Sequence, residues 1–544
     1  MGIAGLAPLG RVAEVSQKLT SAMAEGAVDA DESAQISTLR DSVDRWATGR
    51  FDSARIDSEA KIDAALYREA AELGLLSLTI PEEYEGAGLS LTAAGEVIAA
   101  LARHDRSVAT SIGLHCGLGV RGLIRFGSEA LKKTHLPRLA AGEKIAAFAA
   151  TEPGAGSHLA GVSTVGRSDG NGKLTVNGQK CFVTNGGIAD VYTILAQTPG
   201  LAGARHGYSL LLLQRDLKGL SIGAEEHKMG IRGSSTTDLI LEDVEIPIEH
   251  VIGEPAKGLD LIQDVLAWGR TLMSAGCVGS ARAAYEQALS YTLTRRQFGK
   301  PISEFGLSRA KVVEMQAVLF AMESMVRLTS AMVDIGGSDI VWESTATKIF
   351  ASEGAGKVAD HALQLHGGNG FIEEYGLARI VRDCRVTRIF EGANEVLRLH
   401  LTNGAQSALQ RDYNAPALAD SVESALQTHA AHYDRLHGEA TEALLALRKA
   451  YGFRMVEHQE LLAGAADALI ALFALAGVIL RVNAELRQGM SAADREKRIA
   501  LLDYCVTYFS RALDDGLRRT ADAEPEALTR RISEGLYDEV RQRL

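Results

Sequence analysis

Proline is scarce in this chain, with 10 in 544 residues, and aromatic residues make up only 5%. Few helix breakers beside 46% hydrophobic residues point to an ordered, mostly helical protein with a large core. Paired cysteines are missing too. Cys116, Cys181, Cys277, Cys384 and Cys505 are odd in number, scattered and never spaced C-x-x-C. That excludes a disulfide framework and a zinc site, and favours a reducing compartment. No metal centre is expected. Excess positive charge is absent as well: a net charge of −12 and a pI near 5.7 argue against nucleic acid as a partner. There is no P-loop, and no G-x-G-x-x-G within a βαβ repeat, so neither common phosphate-cradling fold is present.

Targeting signals are equally thin. The leader M-G-I-A-G-L-A-P-L-G-R is too short for a secretory signal, and Leu6 stands where myristoylation wants Ser or Thr. With no arginine-rich presequence, a flexible leader and a bacterial-type cytoplasmic location are expected. The most apolar stretch is Leu461–Leu480, with Asp467 its one charge. Its uninterrupted part, Ala468–Leu480, would rise only about 20 Å as a helix, short of a roughly 30 Å hydrocarbon core. A buried helix is the expectation, with no transmembrane segment.

What is there falls into four blocks. Residues 1–145 read as helices broken at T-I-P-E-E-Y-E-G-A-G by Pro81, Gly86 and Gly88. Thr92–Leu101 and Val108–Ile124 carry apolar residues at helical spacing, with Ala109 and Gly113 on one face. Residues 146–255 change to strand rhythm. Asn177–Gly178 gives a hairpin signal, Asp169–Gly170 and Asn171–Gly172 mark another turn, and strands follow at Tyr192–Gln197, Tyr208–Gln214 and Asp238–Ile246. An antiparallel β-domain is expected there. Amphipathic helices return over 256–405, at Leu259–Thr294, Ser308–Gly336 and Val341–His366, as in a helix bundle. After a linker at Asn403–Pro416, residues 417–544 read as an extra helical domain with helices at Ala417–His432, Glu439–Tyr451, Glu457–Glu485 and Ala492–Leu517.

The chemistry gathers around R-I-V-R-D-C-R-V-T-R-I-F-E-G-A-N-E, where four arginines precede Glu391. Ile389 and Phe390 would keep water from that carboxylate and raise its pKa toward the range of a general base, and Gly392 lets a ligand come close. A helix-terminal Glu paired with Arg388 on a solvated face is the plainer alternative. Three upstream stretches change the balance: Q-L-H-G-G-N-G-F at Gln364–Phe371, R-R-Q-F-G at Arg295–Gly299 and T-E-P-G-A-G-S at Thr151–Ser157.

In this order and at these distances, the four stretches resemble the acyl-CoA dehydrogenase family over roughly residues 35–405. The I-F-E-G-x-N-E wording and the helical tail are most similar to its very-long-chain branch. The resemblance implies a helical domain, a central β-barrel or sandwich and a four-helix bundle, extended here by C-terminal helices. It also implies FAD, a fatty acyl-CoA substrate oxidised to the trans-2-enoyl thioester, and electrons passed to an electron-transferring flavoprotein. Glu391 would be the catalytic base. The alternative base position on the preceding long helix is Gly269, which cannot serve.

Flavin contacts would come from Phe148, Thr151, Gly156, Ser157, Phe182, Val183 and Thr184, with Phe182 and Thr184 on one side of a strand. Arg295, Gln297, Phe298, Gln364, Gly367 and Gly368 would hold the FAD of a neighbouring subunit, which implies a homodimer with shared sites. Ala393 stands where the family commonly has threonine, so a hydroxyl contact is lost, with Glu395 nearby. His158 replaces the more common Asp after the serine. Ser157, Arg270 and Gly392 would touch substrate, and small residues at Ala109 and Gly113 would favour a deep pocket and a long chain, with tight helix–helix packing the plainer alternative for those two. An oxygen-using acyl-CoA oxidase and a scaffold protein on the same fold remain alternatives, as does a flavin monooxygenase or nitroalkane-oxidising relative, although such a relative would usually change Glu391. Peripheral membrane contact by the tail stays open.

Overall fold

The computed structural model describes residues 23–24, 26, 30–336, 339–408 and 417–541. The expected flexible leader and residues 409–416 of the expected linker lie outside the described residues. Two compact units emerge, one over Glu25–Ala393 and one built on Asn394–Leu544.

The larger unit begins with helices α1 (Ala30–Arg50), α2 (Ser53–Glu59), α3 (Ala64–Glu72), α4 (Leu91–His104), α5 (Arg106–Leu114), α6 (Val120–Phe126) and α7 (Glu129–Ala140). Their starts are set by short polar caps. Asp63, Ser90, Asp105 and Ser128 each accept a first-turn N–H, which satisfies donors a helix end would otherwise leave bare. The single helix expected over Val108–Ile124 is in fact interrupted: a π-turn at His115–Gly119 separates α5 from α6. Its physical reason is a close approach. A Cβ on Gly119 would lie 2.9 Å from that of Ala146, and the buried His115 ring accepts from Ala146 N at 3.0 Å and meets Leu76 O at 3.1 Å. The wider turn seats this segment on the next domain.

That domain is one sheet of β1 (Ala146–Ala149), β2 (Val165–Ser168), β3 (Lys173–Thr184), β4 (Val191–Gln197), β5 (Tyr208–Gln214), β6 (Leu220–Ile222), β7 (Thr236–Pro247) and β8 (Val251–Ile252), in the order β6-β7-β3-β2-β4-β5-β8 with β1 on β4. Two expectations are corrected. The sheet is mainly antiparallel, but β1 runs parallel to β4, as does β2 at one pair. Asn177–Gly178 makes no hairpin. It lies inside β3 at a register shift, where the Asn177 side chain bonds Asp243 and a Gly178 Cβ would stand 2.5 Å from Thr164 Oγ1. This is a bulge forced by a close neighbour. The Asp169–Gly172 turn does join β2 to β3.

Next come α8 (Gly258–Thr294), the small hairpin of β9 (Arg296–Gln297) and β10 (Lys300–Pro301), α9 (Gly306–Asp334), α10 (Val341–His366) and α11 (Leu377–Arg385). Asp334 at the end of α9 accepts from Leu91 N and Thr92 N, placing a carboxylate on the positive end of α4.

The smaller unit holds α12 (Asn394–Ala408), α13 (Gln427–Tyr451), α14 (Gln459–Gln488), α15 (Ala492–Ala521) and α16 (Glu524–Arg541). Part of the expected linker, Asn403–Ala408, is helical, and the two helices expected over Ala417–Tyr451 are short 3₁₀ turns followed by one helix. Among the described residues α14 alone is long and apolar enough to cross a membrane, so its length does not exclude a span. Its surroundings bear on that more directly: 89% of the apolar window is buried within the protein. Gly464 and Gly516 let α14 and α15 touch backbone to backbone, since a Cβ on either would meet carbonyl or amide atoms at 2.7–2.9 Å. All five cysteines are free and buried.

Candidate active site

Glu391 follows α11 in a left-handed conformation, φ 56°, and Gly392 continues at φ 103°. A non-glycine residue stays in that region only when its surroundings hold it there. Two buried cations do the holding. Arg270 on α8 donates through Nε to the Glu391 carbonyl at 3.1 Å and through Nη1 to Thr345 Oγ1 at 3.2 Å. Lys348 on α10 donates through Nζ to the Gly392 carbonyl at 2.7 Å. Both cations grip the main chain and leave the carboxylate alone.

The Glu391 carboxyl is accordingly unusual. Its Oε2 is buried with no hydrogen-bond partner, although the residue as a whole is only half-buried. It projects at Gly269 of α8, where a Cβ would come within 3.1 Å of Oε2 and 2.2 Å of Leu118 Cδ2. Gly269, which cannot itself serve as the base, is therefore also the residue that leaves room for it. Burial pushes the carboxyl up to about 7 against the opposing charges of Arg270, Lys348 and Arg106. Burial likewise lowers Lys348 to about 8 and Arg270 to about 10, with Glu391 pulling both the other way.

A second cluster shapes the loop after β1. Thr151 O accepts from Cys181 N, and Glu152 and Ala155 exchange backbone hydrogen bonds. The Glu152 carboxylate is buried and saturated: it accepts from Lys180 Nζ at 2.7 Å, Ser163 Oγ at 2.7 Å, and the amides of Ser163 and Thr164. Burial alone would raise it, yet these donors hold it down to about 2. Pinned this way, the loop presents Gly156 and Ser157 to solvent with Thr151 half-buried, while Phe148 is buried beneath. Beside it Phe182 stands 65% exposed at φ 56°, and Thr184 is half-buried. Val183 points into the core at 1% exposure, so its side chain is unavailable to a cofactor, a correction that follows from strand alternation.

The ends of α8 and α10 meet in a third patch, where Tyr291 stacks on His366 at 4.0 Å and its hydroxyl accepts from Asn369 Nδ2. Around it Arg295, Gln297, Phe298, Gln364, Gly367 and Gly368 are exposed. Phe298 is 93% exposed at φ 49°, and added Cβ atoms on the two glycines would meet nothing. Among the described residues no hydrogen bond or ion pair joins this patch to the loop after β1. Open glycines, free backbone donors and outward aromatics at both places fit the phosphates, adenine and ring of a flavin dinucleotide.

Other expected residues fall differently. Gly392 is half-buried at the clamp. Ala109 is buried on α5, and the bare side of Gly113 faces Ile98 of α4 at 3.5 Å, so it serves helix packing. Ala393 closes the larger unit, and Glu395 is exposed in the first turn of α12, in the smaller one. Sequence reasoning missed Lys348, Thr345, Glu152 and Lys180. A lysine amid small and apolar residues, T-A-T-K-I-F-A-S, was the available signal for Lys348.

Family models match in three consecutive pieces: the acyl-CoA dehydrogenase N-terminal domain at residues 33–143, the middle domain at 147–244 and the C-terminal domain at 256–406. The chain belongs to the acyl-CoA dehydrogenase family. This acyl-CoA dehydrogenase is 32% identical over 498 residues to the human very long-chain specific acyl-CoA dehydrogenase, mitochondrial, covering 85% of this chain and 76% of that one. A probable acyl-CoA dehydrogenase of Bacillus subtilis is 37% identical, over 61% of this chain and 58% of its own length. Among solved structures, a Bacillus anthracis acyl-CoA dehydrogenase complexed with FAD superposes with TM-score 0.78 at 29% identity, covering 90% and 88% of the two chains. Butyryl-CoA dehydrogenase from Megasphaera elsdenii gives 0.66 at 32%, over 70% and 99%. The family resemblance, the fold class and FAD as cofactor are thus borne out.

Proposed function

We propose that this enzyme dehydrogenates long-chain fatty acyl-CoA thioesters, with Glu391 taking the proton from the α-carbon. The observation that carries this reading is the buried Oε2 of Glu391, left without a partner over Gly269. A carboxylate with no hydrogen bond to break, at about 7, is poised to accept a proton at neutral pH. Arg270 and Lys348 fix its backbone, which keeps the base on one side of the reacting bond. Their charges also favour the negative charge that develops on the thioester oxygen. Thr151, Gly156, Ser157, Phe182 and Thr184 would hold the flavin ring, and the patch at Arg295–Phe298 and Gln364–Gly368 the nucleotide of a second subunit. Bound FAD supplies the acceptor for the β-hydrogen as hydride.

Similarity to very long-chain enzymes over most of the chain supports the long acyl class. Electron-transferring flavoprotein is proposed as acceptor and a homodimer as the working form, because the exposed nucleotide patch needs a partner to cover it. Five buried free thiols suit a reducing, cytoplasmic setting. The test is anaerobic titration of the flavoprotein with palmitoyl-CoA, beside Glu391→Gln. Bleaching of flavin absorbance in the parent and none in the variant is expected. A parent that carries FAD and is bleached by no acyl-CoA defeats the proposal.

A further inference from the structure

Arg106 begins α5 with its guanidinium buried, at 5% exposure, and with no carboxylate in hydrogen-bond contact; the Glu391 carboxylate acts on it only through space. Nε and Nη1 make no hydrogen bond, while Nη2 reaches only the Met273 carbonyl at 3.3 Å and Cys277 Sγ at 3.7 Å. A buried charge is normally paired, because the interior cannot replace the water it loses. This one lies directly over Gly276 of α8, where a Cβ would fall 2.1 Å from Nη1.

The position is informative. Gly276 follows Gly269 by seven residues, so the two glycines lie on nearly the same face of α8, about 10 Å apart. One is overlain by the Glu391 carboxylate and the other by the Arg106 guanidinium. On α5, Arg106 shares its face with Ala109 and Thr110, and the Thr110 hydroxyl is also buried without a partner. A plain hydrocarbon chain running from the base along this face would leave both polar groups unpaired. A chain ending in a carboxylate would satisfy the guanidinium with charge-assisted hydrogen bonds.

We propose that Arg106 is the docking point for a carboxylate at the far end of the acyl chain, making ω-carboxyacyl thioesters of medium length preferred substrates. The inference rests on the dehydrogenase reading of the same site and replaces the unsubstituted long chain proposed above with a shorter, carboxylated one. An extended chain advances about 1.25 Å per C–C bond and covers the span in roughly eight carbons, so the monothioester of decanedioic acid is the matched probe.

The experiment compares decanedioyl-CoA with decanoyl-CoA, by anaerobic flavin bleaching and by kcat/KM with an artificial acceptor, in the parent enzyme, Arg106→Leu and Arg106→Lys. The parent should favour the carboxylated thioester by at least about tenfold, as a site built around a polar group discriminates against its absence. Arg106→Leu should lower the ratio of the two kcat/KM values by at least about tenfold, and Arg106→Lys should recover part of it. An equal or lower rate with decanedioyl-CoA in the parent overturns the proposal without any variant, and so does a preference that survives in Arg106→Leu. If neither thioester, nor palmitoyl-CoA, bleaches the flavin, the dehydrogenase reading itself has failed.

Discussion

Two glutamates in the larger unit carry buried carboxylate oxygens near lysines from other elements, and they end in opposite states. Glu152 receives Lys180 directly on its carboxylate, along with three further donors, and is held near 2. Glu391 has Lys348 and Arg270 on its carbonyl and its neighbour's carbonyl, and its carboxyl rises to about 7. Burial and nearby cations are common to both. What separates a structural carboxylate from a chemical one is the atom the cation holds. A satisfied carboxylate becomes a rivet; a carboxylate held through its own main chain stays placed and still basic.

The sharpest way to break this contrast is Glu391→Gln. Flavin reduction by acyl-CoA should fall by between about 10²- and 10⁴-fold, the usual contribution of a positioned base. FAD content should be kept, as read by absorbance. A residual rate close to the parent's would show that Oε2 is not the acceptor.

Lys180→Met attacks the rivet instead. It strands a buried carboxylate, so about 3–5 kcal/mol of stability should be lost, visible in urea unfolding together with weaker flavin retention. If stability is unchanged, the pair is dispensable and the contrast is only geometric.

The two glutamates should also differ in the pH dependence of stability. The Glu391 carboxyl titrates near about 4.3 when unfolded and near 7 when folded, so the folded state holds its proton more tightly. Its contribution is full below about 4.3 and is lost as pH rises through about 7. Glu391→Gln should therefore gain roughly 2–3 kcal/mol over the parent at pH 8 and nothing at pH 4. Denaturant melts at both pH values decide it; a gain at pH 4 reverses the sign and refutes the burial argument.

The smallest effect concerns Lys348→Met. Removing that charge leaves Glu391 harder to ionise, so the acid limb of kcat/KM, expected near 7 in the parent, should move up by about one pH unit. A profile that only loses height would mean Lys348 serves the loop's shape alone.

Much of this arrangement was legible before any coordinates, because its parts are written as local patterns. Strand alternation around Phe182, the glycines of the loop after β1, and Glu391 between an aromatic residue and a glycine all carry their meaning in neighbouring residues. The clamp was not legible. Lys348 stands 43 positions before Glu391 and Arg270 stands 121 before it, and each donates to a carbonyl, which every residue possesses and no sequence distinguishes. The bulge at Asn177–Gly178 misled for a related reason. The same dipeptide that closes a hairpin also suits an irregular strand, and only Thr164 and Asp243, distant in the chain, decide which occurs. The π-turn at His115–Gly119 was hidden because its cause, Ala146, lies in the next domain.

The burial of all five thiols has a practical use. Cys116, Cys181, Cys277 and Cys384 lie in the larger unit and Cys505 in the smaller. Burial also pushes the Cys116, Cys384 and Cys505 thiols up to about 12. A maleimide or disulfide reagent can then modify them only when the surrounding structure opens. Labelling followed by peptide mass spectrometry becomes a clock with separate hands, Cys505 timing the helical extension and the other four timing the catalytic unit. The rate at which each unit breathes can thus be read in one tube, without a single engineered residue.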